Sequence, residues 1–170
     1  MGFEEDGFIP LRHDGLEAGA LGLLGMDRRE PQVTGIDQAL VAGSWFEKEF
    51  EGSVILADAM AERLQITSEE VEAAERGEQA APKVQIHGRW WDVRGIYDSQ
   101  VLESIRDLNN QPMTPAKEQF EQFNMPGMDV MFLMNEMMLF EADVDIGYEH
   151  QAAARLAILP YRELESMGAE

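Results

Sequence analysis

The chain has 170 residues, 45% of them hydrophobic, enough for one domain or two small lobes with a buried core. Its 13 Lys and Arg face 33 Asp and Glu, a formal charge of −20, and such a surface repels nucleic-acid phosphates and anionic lipid heads. With no cysteine, disulfides, thiolate metal sites and cysteine nucleophiles are excluded.

Residues 1–18, punctuated by Gly2, Gly7, Pro10 and Gly15, read as irregular. "GALGLLGM" (19–26) is a short apolar run between turn residues and predicts a buried strand, followed by a loop at "DRREP". Its glycines do not keep the spacing of a dinucleotide fingerprint, and no P-loop lysine follows. Residues 34–52 read as a short helix or turn, a break at Gly43, and the aromatic pair Trp45 and Phe46. Val54, Ile55 and Leu56 predict a strand, and the helix after it carries Met60, Ala61 and Leu64 on one face. Asp58 fits the first turn of that helix, where a carboxylate suits the dipole.

An acidic insert covers 67–82. Thr67 or Ser68 with Glu70 and Val71 marks a helix start, and Gly77 a stop. Its glutamates read as a solvated face, without a calcium-loop pattern. The clearest strand signal is 83–97. Val84 and Ile86 alternate with polar residues, as do Trp91 and Val93, and Ile96 follows after a one-residue slip that Gly95 suits as a bulge. His87-Gly88 stands where a two-residue hairpin turn belongs. Trp90 and Trp91, adjacent on a strand, must point to opposite faces, so one belongs in the core. A loop at "NNQPMTP" then leads into a short polar helix with Phe120 and Phe123 on one side, and "LAIL" (156–159) is a strand that hands over to a helix after Pro160. The plan is α+β, with a small mixed or antiparallel sheet, a hairpin at about 83–97 and packed short helices.

Chemistry is sparse along this plan. His13, His87 and His150 share no motif, and no neighbour singles out Ser44, Ser53, Ser99, Ser104 or Ser166 as a nucleophile. Acidic pairs such as Asp143 and Asp145 are expected by number alone in a chain with 33 carboxylates. No catalytic residue, cofactor or metal ligand set is assigned. No apolar run approaches the roughly 18 residues of a membrane span, and the acidic start "MGFEEDGF" lacks the pattern of a signal peptide.

Several segments, in order, resemble one family. "LLGMD", "ALVAGSWF", "SVILADAMAERLQI", "VQIHGRWWDVRGIYD", "IRDLNNQPMTP" and "AILPYRELESMG" are similar to the MacB-like periplasmic core domain of FtsX-type ABC-transporter permeases. The resemblance covers about 20–110 and 154–168. The acidic insert departs from it, and 112–150 matches none of its patterns. It implies one extracytoplasmic (periplasmic) domain, excised from a cytoplasmic-membrane protein. The implied role is non-catalytic: engaging a substrate or partner protein, coupled through the membrane part to a separate ATPase subunit. A homodimer is compatible with it, and nucleic acid is set aside by the charge. The alternatives are a stand-alone ligand- or metal-binding module and a hydrolase with an unrecognised site.

Within the divergent segment, methionines recur at 125, 128, 131, 134, 137 and 138. On a helix each step of three turns about 300°, so the series drifts around the axis, and Met131, Met134 and Met138 share a face. No histidine or cysteine is close enough in sequence to complete a soft-metal site. Methionine suits core filling or an adaptable apolar contact. Met128, Met131, Met134 and Met138 are therefore the candidate substrate or partner contacts.

Overall fold

The computed structural model describes residues 8–118 and 148–168. It divides into two compact units, Met1–Pro115 with Gln151–Glu170, and Ala116–His150. The first unit is α+β, with a mixed sheet and short helices.

The sheet begins with a hairpin of β1 (Ile9–His13) and β2 (Leu16–Ala20), in the stretch the sequence marks as irregular. Asp14 and Gly15 form its two-residue turn, both at positive φ (45° and 81°), the conformation that matches strand twist. The expected single strand over 19–26 is divided at Leu21: its first residues end β2 and the rest form β3 (Gly22–Met26). After β3 come α1 (Glu30–Thr34), a 3-10 turn, β4 (Leu40–Gly43), β5 (Ser53–Ala57) and α2 (Asp58–Arg63). Met60, Ala61 and Leu64 are buried there, as their spacing requires.

The acidic insert contains α3 (Ser68–Glu75). Thr67 and Glu70 close a reciprocal capping box, and Val71 is buried. The expected hairpin follows, β6 (Lys83–Ile86) and β7 (Arg89–Tyr97), turning at His87 and Gly88 with φ of 49° and 76°. The register between β5 and β7 slips between Val54 and Ile55, which face Val93 and Gly95, so the bulge falls at Arg94. Trp91 is fully buried and Trp90 is 56% exposed. Helix α4 (Ser99–Ser104), absent from the sequence reading, is capped by Asp98, whose Oδ1 accepts the N–H groups of Gln100 and Val101. After β10 (Leu156–Pro160), α5 (Tyr161–Ser166) starts behind the proline.

The order across the sheet is β2-β1-β6-β7-β5-β10-β3, with β4 also on β7. Both ends of this path belong to one bent strand, because only Leu21 separates β2 from β3, and its N–H already donates to the Arg155 carbonyl at 2.8 Å. The sheet therefore curls back on itself. Leu11, Ala18, Ala20, Val84, Ile86, Trp91 and Val93 alternate onto a buried face. β5 and β10 are buried at every residue, as strands covered on both faces must be. Tyr97 ties the end of β7 to the approach to β10: its hydroxyl shares one proton between the carbonyls of Ala153 and Leu156, each 2.6 Å away.

In the second unit, β8 (Ala116–Glu118) and β9 (Tyr148–His150) form an antiparallel ladder. β8 stands where the sequence suggests the start of a polar helix. The remainder of that helix, with Phe120 and Phe123, lies outside the described residues. Among the described residues no helix is long and apolar enough to cross a membrane.

Candidate functional site

The most elaborate side-chain network surrounds Arg94, at the bulge of β7. It starts from Gly43, the last residue of β4, at φ 75°. A Cβ there would lie 1.9 Å from the Arg94 carbonyl oxygen, so only glycine allows the two strands this close. The Gly43 N–H donates to Glu72 of α3 at 2.9 Å, which fastens the acidic helix to the sheet. Beyond Gly43 the chain leaves β7 and wraps around the Arg94 guanidinium. Nε donates to the Trp45 carbonyl at 2.8 Å, Nη1 lies 3.2 Å from Glu51 Oε2, and Nη2 lies 3.3 Å from Glu47 Oε1. The Glu51 side chain is only 7% exposed, and it accepts the backbone N–H groups of Glu47 and Lys48 and the Ser53 hydroxyl. A loop without secondary structure is thus held by charge-assisted bonds.

The far end of this loop is fixed differently. Glu163 of α5 is 2% exposed, and its two oxygens accept the Gly52 N–H at 2.9 and 3.1 Å. Arg89 Nη2 donates to the same carboxylate at 3.0 Å, and its guanidinium stacks 4.3 Å from the Trp91 ring centroid.

Two clefts open beside the loop. One, of about 390 Å³, has apolar walls from Phe50, Val71, Ala74 and Ala81 over Asp92 and Arg94. The other, of about 260 Å³, is lined by Arg28, Arg29, Gln32, Phe46 and Glu47. Trp45 joins the two loops that form this second cleft, its Nε1–H donating to the Asp27 carbonyl at 3.2 Å. The charge around it is unusual for so acidic a chain. Among the described side chains, Arg28, Arg29 and Lys48 are the cations with no hydrogen bond, ion pair or ring contact.

The residues singled out from sequence are dispersed. Met128, Met131, Met134 and Met138 lie outside the described residues, as do Asp143 and Asp145. His13 contacts the Lys83 carbonyl through Nδ1 at 2.7 Å, His87 occupies the hairpin turn, and His150 ends β9. The hydroxyls of Ser53, Ser104 and Ser166 donate to Glu51 and to the carbonyls of Val101 and Glu163. Two glutamates of the acidic insert are not merely a solvated face: Glu70 completes the cap of α3, and Glu72 holds Gly43. Among the described residues no three His, Asp or Glu side chains cluster as metal ligands would. Arg28 and Arg29 belong to no motif in the sequence. The available signal was two adjacent arginines in a chain with 33 acidic residues.

Family models, curated proteins and solved structures give no match to this chain.

Proposed function

We propose that the chain is a non-catalytic extracytoplasmic domain of an FtsX-type ABC-transporter permease. In this reading it engages a substrate or partner protein on the periplasmic side and follows the cycle of a separate ATPase subunit through a membrane part. The support is the ordered series of segments that resemble the MacB-like periplasmic core domain. One observation carries the functional reading: where the resemblance lapses, the chain makes a separate excursion. It leaves the first unit at Pro115 and returns at Gln151, whose N–H donates to the Pro115 carbonyl at 2.8 Å. An excursion with paired ends can change without disturbing the sheet, and this one holds Met128, Met131, Met134 and Met138. Methionine is well suited to contacts that must adapt to a partner.

The test is the gene and its membrane. The flanking sequence should encode four spans around this segment, and a full-length chain without them sinks the reading. A photo-crosslinker at Met131 in the membrane-embedded protein should then capture a partner or a second copy, and should lose it when Met128, Met134 and Met138 are changed to Ser.

A further inference from the structure

We propose that Arg28 and Arg29 form a binding site for a phosphate oxyanion, independent of the methionine-rich segment and of the permease reading. Both arginines are exposed and line one cleft of about 260 Å³, with the Gln32 amide as a further polar group and buried Phe46 as an apolar wall. Neither guanidinium has a carboxylate partner among the described residues, although acidic residues outnumber basic ones by 33 to 13. The acidic residue that lines the cleft, Glu47, is engaged by Arg94 Nη2 at 3.3 Å. Asp27, the residue before the pair, directs Oδ1 to the Arg29 backbone N–H at 2.8 Å. Glu47 and Asp27 are thus each engaged by another group, and among the described residues no carboxylate pairs with either fork.

Two adjacent guanidiniums select the ligand class. A carboxylate has two oxygens and fills one fork, whereas a phosphate group offers enough oxygens for both. The net charge of −20 does not close the site. At physiological ionic strength the Debye length is about 8 Å, so distant carboxylates are screened while the paired arginines act at contact. The surface repels anionic lipid heads on average, and this patch is the exception. The phosphate could arrive as a free anion or as the monoester headgroup of phosphatidate, and each offers at least three terminal oxygens to the two forks.

The experiment uses the 170-residue chain, its Arg28→Gln/Arg29→Gln variant, and an Arg12→Gln/Arg76→Gln control. The control removes equal charge from arginines paired with Glu17 and Glu78. Inorganic phosphate is titrated by calorimetry, with acetate as the competing carboxylate. Co-sedimentation is measured with phosphatidylcholine vesicles with and without phosphatidate. The site predicts binding of phosphate or of the phosphatidate vesicles, weakened about tenfold or more in Arg28→Gln/Arg29→Gln and retained in the control. Binding of phosphate in solution assigns a free anion, and binding of the vesicles alone assigns a headgroup. Absence of binding to both probes overturns the proposal. So does equal weakening in the control, an unchanged Arg28→Gln/Arg29→Gln variant, or acetate binding as tightly as phosphate.

Discussion

Four arginines divide into two pairs. Arg89 and Arg94 are spent on the fold: one meets the buried Glu163 carboxylate and the Trp91 ring, and the other gathers Trp45, Glu47 and Glu51. Arg28 and Arg29 touch no acidic side chain among the described residues. Scarcity of partners does not separate the pairs, because the chain carries 33 carboxylates. What separates them is backbone geometry. At Arg94 a bulge and a glycine contact bring a loop back across the guanidinium, whereas the 27–29 loop has its own Asp27 turned onto the backbone. An unpaired cation in so acidic a chain is therefore a positional fact, and ligand binding is where its effect should appear.

The widest test of this contrast is to unlock the locked pair. Gly43→Ala places a methyl group against the Arg94 carbonyl at a positive-φ position, so β4 and the loop behind it must separate from β7. The expected loss is about 3 kcal/mol or more by urea unfolding, and a loss below 1 kcal/mol would show that the close approach is not needed. Glu163→Ala should follow at about 2–3 kcal/mol, because the Gly52 N–H and Arg89 both lose their acceptor. Glu163→Gln, which keeps one acceptor oxygen, should recover part of that loss in the same assay.

Tyr97→Phe is expected to cost about 1–2 kcal/mol and to alter the alkaline limb of stability. Burial, and then the nearby Asp58 and Glu103 carboxylates, push the Tyr97 phenol far above its ordinary range. The unfolded chain releases this proton near pH 10, while the folded chain retains it. Wild-type stability from Tyr97 is therefore complete below about pH 10 and declines as pH rises further. The Phe variant should lack that part of the decline in unfolding curves measured above and below pH 10. The smallest structural effect is expected where the binding effect is largest. Arg28→Gln/Arg29→Gln should shift stability by no more than about 0.5 kcal/mol, since no described partner is lost. A larger destabilisation by urea unfolding would place these arginines with Arg89 and Arg94.

Local patterns in the sequence were informative wherever one short segment contains the reason for its own shape. His87-Gly88 between alternating strands predicts its turn, Thr67 with Glu70 its helix cap, and Gly95 the slip beside it. The strand over 9–13 was less legible because its pattern is weak, although Asp14-Gly15 is a strong turn signal. The partners of Glu163 could not be read at all. Gly52 and Arg89 lie 111 and 74 residues away in the chain, and nothing in "YRELES" distinguishes Glu163 from Glu165.

The sequence by itself therefore determined the elements over 53–97 and 156–166, the α+β plan and the placing of Trp90 and Trp91 on opposite faces, since period, turn chemistry and capping act within a few residues. The tertiary structure decided the closing of the sheet through Leu21, the burial of Glu163, and which arginines keep a partner. Those outcomes depend on contacts between segments far apart in the chain, and a charge in the sequence carries no record of what folding will place beside it.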